Sequence, residues 1–97
     1  MSFVQIMQLQ SSKIEEIRAA ADEWNKATEG KRTVERSVVC GDRDNPGHYS
    51  IIVFFPSYED AMKNSALPET DALSKQILAL SDGPPTFLNL DVIEVRS

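Results

Sequence analysis

The stretch SIIVFFPSYEDAM, residues 50–62, takes the chain from an apolar strand directly into a capped helix. Five consecutive residues within it, Ile51 to Phe55, are apolar. Because neighbouring residues of a strand point to opposite faces of the sheet, this pattern predicts a strand that is buried on both faces. A chain of 97 residues has too few helices to cover both faces of a sheet, so we expect a second copy of the chain to cover one of them.

The hydrophobic pattern on either side of this stretch predicts four strands and two helical segments. The strands are expected over Phe3–Leu9, Arg32–Cys40, His48–Phe55 and Phe87–Val95. One helix is expected between Ser12 and Thr28, and a second helical segment from Tyr58 to Asn64 that restarts at Pro68. This β-α-β-β-α-β order is typical of a single α+β, ferredoxin-like domain over residues 1–97, in which a four-stranded antiparallel sheet carries its helices on one face.

The other face of such a sheet is bare, and here it is apolar. A monomer rarely exposes an apolar patch of this size. We therefore expect a homodimer whose interface includes parts of the strands that contain Ile51 to Phe55 and Leu88 to Val92.

Short polar motifs predict where the helices begin. Ser12 and Glu15 have the spacing of a capping box, and Ser57 is expected to cap the next helix. Apolar residues then recur three or four positions apart from Ile14 to Trp24, which predicts an amphipathic first helix.

Composition excludes several classes of partner. The chain has a net charge of −5 and no basic run, which disfavours nucleic acid and anionic membranes. Cys40 is the only cysteine, so neither an internal disulfide nor a cysteine zinc site is expected. No signal-like or membrane-spanning apolar run is present, and we expect a cytoplasmic protein.

The motif Phe55-x-Ser57-x-Glu59-x-Ala61, followed by Asn64 and Pro68, resembles that of antibiotic-biosynthesis-monooxygenase-like proteins of the dimeric α/β-barrel group. The resemblance spans almost the whole chain in element order. It implies two sheets that meet in a barrel, a ligand cleft between the helices and the sheet of each protomer, and oxygenation without a metal or flavin cofactor. Asn64 stands where this group usually has a histidine. Haem-degrading relatives use an asparagine on the first strand, which this chain lacks there, so haem degradation is disfavoured.

Three residues are candidates for catalysis. Asn64 is a candidate through its place in the motif, and its alternative role is that of an ordinary helix-end residue. His48, the only histidine, can act as a general acid or base near neutral pH, or it is a solvated hairpin residue. The phenol of Tyr58 can orient a substrate hydroxyl, or it belongs to a surface tyrosine.

Candidate ligand-binding residues are Trp24, Asn64, Asn89 and Asp91. Trp24 can stack on an aromatic ligand, or it is part of the core. Asn89 and Asp91 lie on one face of an otherwise apolar strand, where they either anchor a ligand or hydrogen-bond within the protein. A half-buried thiol is expected at Cys40, and no metal site is expected.

The sequence therefore supports a small homodimer that binds an apolar or aromatic molecule in a helix–sheet cleft, and the resemblance implies that it is a cofactor-independent monooxygenase. The alternative is a non-catalytic ligand- or partner-binding dimer of the same fold. A small isomerase or lactone-processing enzyme would need a paired acid and base, which the sequence does not reveal.

Overall fold

A computed structural model describes residues 2–97 and contains four strands and three helices. In chain order these are β1 (Phe3–Gln10), α1 (Ile14–Ala27), β2 (Arg36–Gly41), β3 (His48–Phe55), α2 (Tyr58–Ser65), α3 (Pro68–Leu80) and β4 (Thr86–Asp91). All neighbouring strands are antiparallel, and their spatial order is β2-β3-β1-β4. This confirms the predicted ferredoxin-like α+β fold.

The register of β1 and β3 fixes which residues share a face of the sheet. Phe3 pairs with Phe55, and Met7 with Ile51. These positions pack against the helices: Phe3 and Phe55 form one buried cluster with Ala61 of α2. The residues between them point the other way, since side chains alternate along a strand.

A second buried cluster joins the sheet to the two longer helices. Leu9 of β1 packs with Ile17 of α1 and Ile77 of α3. Both clusters lie on the same side of the sheet, so all three helices cover one face, as predicted. Within residues 2–97, no helix is long and apolar enough to cross a membrane.

The opposite face, which we call the uncovered face, carries no helix. Seven apolar side chains lie on it: Val4, Ile6, Val38, Ile52, Phe54, Leu88 and Leu90. Arg36 also lies there, with its guanidinium carbon 4.4 Å from the ring centroid of Phe54.

Two strands are shorter than the sequence predicts, because their neighbours end. β2 begins at Arg36 and not at Arg32: its partner β3 ends at Phe55, and the last bond before β2 runs from Glu35 N to Phe54 O at 2.8 Å. β4 ends at Asp91 and not at Val95, because Asp91 pairs with Phe3, the first residue of β1.

The predicted capping box at Ser12 is wrong. Lys13 is the residue before α1, and no side chain caps that helix. The neighbouring Ser11 is buried instead; its hydroxyl accepts from Lys13 N at 2.9 Å and donates to Leu80 O at 2.6 Å. The prediction for Ser57 is confirmed, since its hydroxyl accepts from Asp60 N at 3.1 Å at the start of α2.

Candidate functional site

A cleft of about 510 Å³ lies between the helices and the sheet. Its floor includes Met7, Ile51 and Val53 of the sheet, and its walls come from α1, the end of α2 and α3. The volume lies in the range of small-molecule sites in proteins. This cleft is therefore the candidate functional site.

The cleft separates the two buried clusters of the core. Phe55 and Val53 of one cluster and Ile17 and Ile77 of the other all line it. Protein interiors normally have few voids larger than a water molecule. A cleft of this size between the two clusters, open to solvent on one side, has room for an apolar guest.

Asn64, near the end of α2, brings a polar group to this cleft. The residue is only 6% exposed, and its Oδ1 atom is buried without a hydrogen-bond partner. A buried amide oxygen that lacks a donor costs about 1–3 kcal/mol. Because this Oδ1 atom has almost no accessible surface, a ligand donor in the cleft would reach it only after the side chain rotates.

Trp24 lines the cleft from the last turns of α1. Its indole Nε1 donates to Thr70 Oγ1 of α3 at 2.9 Å. The only polar group of the indole is thus already paired within the protein. What Trp24 offers a ligand is its ring surface. Thr70 has no signal in the sequence, since it lies 46 residues from its partner and meets it only through helix packing.

A second contact ties the same ends of α1 and α3 together. Lys31, just after α1, donates to Glu69 Oε2 in the first turn of α3. The hydrogen bond from Lys31, with a smaller contribution from its charge, lowers the pKa of the Glu69 carboxyl below its ordinary value. Trp24–Thr70 and Lys31–Glu69 therefore close one end of the helix layer, and we call this pair of contacts the strap.

The ionisable side chains that line the cleft are all exposed. They are Arg18, Asp22 and Asp71. Arg18 pairs with Glu15 at 3.1 Å, and Asp71 pairs with Lys75 at 3.0 Å. No histidine, tyrosine or cysteine is among the lining residues of this cleft.

The structure separates the three catalytic candidates. Asn64 lines the cleft, whereas His48 lines a polar, more open groove of about 380 Å³ at the end of the sheet where β3 begins. Tyr58 is exposed at the start of α2, where its ring meets Phe3 edge-on with centroids 5.4 Å apart. These three residues therefore do not form one catalytic group.

Of the predicted ligand-binding residues, Trp24 and Asn64 line the same cleft. Asn89 and Asp91 lie on the helix side of β4 but are exposed and outside that lining; Asn89 Oδ1 accepts from Gln5 Nε2 at 3.1 Å. Cys40 is exposed rather than half-buried. Within residues 2–97, no three His, Cys, Asp or Glu side chains lie together as metal ligands.

Comparison with known proteins adds information only through structure. No protein-family model matches the chain. No curated protein matches it significantly in sequence.

Several solved structures share the fold of the whole chain. SnoaB, a cofactor-independent oxygenase from Streptomyces nogalater, superposes with a TM-score of 0.81 and 12% identity over 97% of this chain and 95% of that one. Rv0793 from Mycobacterium tuberculosis gives 0.79 and 14% identity, with 100% of both chains covered. A protein from Deinococcus radiodurans, provisionally described as an antibiotic biosynthesis monooxygenase, gives 0.78 and 16% identity over 98% and 96% of the two chains.

These similarities define the class of fold. The chain has the ferredoxin-like architecture shared by antibiotic-biosynthesis-monooxygenase-like proteins. The resemblance read from the sequence is confirmed at that level.

Proposed function

We propose that this protein is a homodimer that binds a neutral apolar or aromatic molecule in the helix–sheet cleft and oxygenates it without a cofactor. One observation carries the proposal: a cleft of about 510 Å³ divides the apolar core, and Asn64 in its wall has a buried amide oxygen, Oδ1, without a hydrogen-bond partner. Apolar walls with a few polar groups are the usual composition of a small-molecule site. The unpaired acceptor favours ligands that carry a hydroxyl group.

The reaction class comes from the fold resemblance to SnoaB, a cofactor-independent oxygenase. In such a reaction on a hydroxynaphthalene, the substrate supplies the electrons. One atom of O₂ becomes a quinone carbonyl oxygen on the ring. The other leaves as water with the ring hydrogen and the phenolic hydrogen. The protein would contribute the apolar floor of the cleft and the Asn64 side chain, which hold and orient the reacting ring.

Binding without catalysis is the second candidate, and one observation favours it. The ionisable groups that line the cleft are exposed, and His48 lies in the other groove. The cleft therefore offers no buried general base, and its two carboxylates, Asp22 and Asp71, are exposed.

The homodimer part of the proposal rests on the uncovered face. Its apolar side chains include Ile52, Leu88 and Leu90, and Leu88 and Leu90 are exposed. Covering them with the same face of a second copy contributes ~25 cal/mol per Å² of buried apolar area before the costs of association.

Binding is tested with two probes of similar shape, 1-naphthol and 1-methoxynaphthalene. The chain has one tryptophan, so the fluorescence of Trp24 reports occupancy of the cleft. We expect 1-naphthol to bind about 5–10-fold more tightly, since only it can donate to Asn64 Oδ1. The Asn64→Leu variant should lose this preference. Equal affinity of native protein for the two probes would contradict the proposed role of Asn64.

Catalysis is tested separately with an oxygen electrode and 1,5-dihydroxynaphthalene. Oxygen uptake of one O₂ per quinone formed, reduced at least tenfold in Asn64→Leu, is expected of the monooxygenase. Tight binding of the naphthol without any oxygen uptake would instead establish the binding-only function.

A further inference from the structure

The floor of the cleft is formed by two neighbouring rows of side chains on the helix side of the sheet. Strand pairing defines each row, because residues that face each other across antiparallel strands lie side by side. One row, which we call the apolar row, contains only apolar side chains, and all of them line the cleft: Val39, Ile51, Met7 and Phe87. A ligand above this row finds no side-chain hydrogen bond in it.

The next row, which we call the polar row, crosses the same strands but carries polar groups. It consists of Ser37, Val53, Gln5 and Asn89, and all except Asn89 line the cleft. Successive residues on one face of a strand are two positions apart, so the two rows are separated by about 6.6 Å. A two-ring aromatic molecule that lies along the strands can therefore contact both rows at once.

Gln5 is the polar side chain at the centre of the polar row. It is half-buried, and its Nε2 atom donates to Asn89 Oδ1 at 3.1 Å. This bond uses one N–H of the amide, which leaves Oε1 as an acceptor for a ligand hydroxyl above the floor. α2, which carries Asn64, packs on Phe3 and Phe55, the neighbouring row on the side away from the apolar row. The polar groups of the floor thus lie towards the α2 end of the cleft.

The other end of the cleft, beyond the apolar row, is closed by apolar side chains. Leu9 follows Met7 by two positions on β1 and packs with Ile17 and Ile77 in a buried cluster. Ile17 and Ile77 also line the cleft. A ligand hydroxyl at this end would lose its water without gaining a hydrogen bond, which weakens binding.

We propose that the cleft selects aromatic molecules whose polar groups lie together at one end, with Gln5 as the residue that determines this specificity and Asn89 as its positioning residue. The inference rests on the cleft being the ligand site of the proposed function. The hydroxyl-bearing end of the ligand lies over the polar row, where Gln5 Oε1 accepts a hydrogen bond. The hydrocarbon end lies over the apolar row.

Two isomers of one compound test this orientation. 2,3-Dihydroxynaphthalene carries both hydroxyl groups at one end, whereas 2,6-dihydroxynaphthalene carries them at opposite ends. We expect native protein to bind the 2,3 isomer about 5–10-fold more tightly by isothermal titration calorimetry, since only this isomer keeps both hydroxyl groups away from the apolar end. Equal affinities would overturn the proposal and leave the cleft standing as a ligand site. Failure of both isomers and of 1-naphthol to bind would overturn the proposed function as well.

Variants of the two rows locate the preference. Gln5→Leu removes the acceptor and should reduce the preference for the 2,3 isomer to less than about twofold. Gln76→Leu makes the same substitution on the exposed side of α3 and should keep the full preference. A preference that is unchanged in Gln5→Leu, or lost equally in Gln76→Leu, would contradict the role of Gln5.

Met7→Gln makes the opposite change and places an amide in the apolar row. It should bind the 2,6 isomer about threefold more tightly than native protein does, because the second hydroxyl group then has a partner. An unchanged affinity for the 2,6 isomer, with native far-ultraviolet circular dichroism, would refute the apolar row as the place of the hydrocarbon end.

Asn89 acts through Gln5, so its variants separate positioning from stability. Asn89→Asp keeps an oxygen acceptor for Gln5 Nε2, and Asn89→Leu removes it. We expect the preference for the 2,3 isomer to stay within about twofold of its native value in Asn89→Asp and to fall about threefold or more in Asn89→Leu. Full preference in Asn89→Leu, or an equal loss in both variants, would refute the positioning role.

Discussion

At the scale of single residues, Asn64 is where stability and binding oppose each other. Its Oδ1 atom is buried and unpaired, so the free protein bears the cost of a desolvated acceptor. Replacing a buried polar group by an apolar one of similar shape removes that cost. We predict that Asn64→Leu is at least as stable as native protein, with a gain of up to about 1 kcal/mol in the free energy of unfolding by urea.

The matched control for this prediction is Asn64→Ala. It also removes the unpaired acceptor but leaves a small cavity, and should cost about 1 kcal/mol relative to Asn64→Leu. A clear destabilisation by Asn64→Leu, by more than about 1 kcal/mol, would mean that the amide has a structural partner and is not reserved for a ligand.

Trp24 gives a second prediction at this scale. Thr70→Val removes the acceptor of the indole N–H and leaves the shape of the side chain nearly unchanged. We expect it to lower the free energy of unfolding by about 0.5–1.5 kcal/mol and to leave the affinity for 1-naphthol within a factor of two, because the ring surface remains. Trp24→Ala should weaken both properties. A tenfold loss of affinity in Thr70→Val would contradict the role assigned to the ring.

The site residues show how far a sequence alone can go. Trp24 could be predicted because it is the last of the regularly spaced apolar residues of α1. Asn64 could be predicted because it follows the motif that begins at Phe55. The separation of His48 and Tyr58 from the cleft depends on the direction of each side chain in the folded chain, which residue spacing does not encode. The bond from Trp24 to Thr70 joins helices that meet only in the tertiary structure.

At the scale of secondary-structure elements, the caps of α1 and α2 can be compared. Ser57 accepts from Asp60 N at the start of α2, whereas Ser12 makes no capping bond to α1. We predict that Ser57→Ala lowers the free energy of unfolding by about 1 kcal/mol and that Ser12→Ala changes it by less than about 0.5 kcal/mol. Equal losses of unfolding free energy in the two variants, measured by urea titration, would show that Ser12 caps α1 after all.

The strap between α1 and α3 predicts a pH dependence. Lys31 lowers the pKa of Glu69 in the folded chain, so the folded state favours the ionised carboxyl. Its stabilising contribution is therefore present above the ordinary glutamate pKa of about 4.3 and is lost as the pH falls through the lower folded pKa. The free energy of unfolding of native protein should fall below about pH 5 more steeply than that of Glu69→Gln. Between pH 6 and 8 the difference between the two proteins should stay constant.

The same scale shows why strand lengths are harder to predict than strands. The alternation around Thr33 and around Ile93 is that of a strand, yet neither residue lies in one. A strand ends where its neighbour ends, and β3 and β1 supply no partner beyond Phe55 and before Phe3. The local pattern predicts the capacity to pair, and the sheet decides whether pairing occurs within one copy.

At the scale of the whole molecule, the apolar uncovered face favours a dimer, so we predict that thermal stability depends on protein concentration. If folding is coupled to dimerisation, unfolding yields two chains from one dimer, and dilution favours the unfolded state. A tenfold change in concentration alters the free energy by about 1.4 kcal/mol per dimer, which corresponds to roughly 3–5 °C in Tm for a unit of this size.

Ile52→Asp places a charge at the centre of that face, opposite Ile6 of β1. We predict that it yields a monomer by light scattering and abolishes the dependence of Tm on concentration, because burying an unpaired carboxylate between two sheets is too costly. Gln76→Asp, on the exposed side of α3, adds the same charge elsewhere. It should remain a dimer, and its Tm should still depend on protein concentration. A native Tm that stays constant over a hundredfold range of concentration would show that the uncovered face is not joined to a second copy. The loss of dimer in Gln76→Asp as well would attribute the effect to net charge and not to this face.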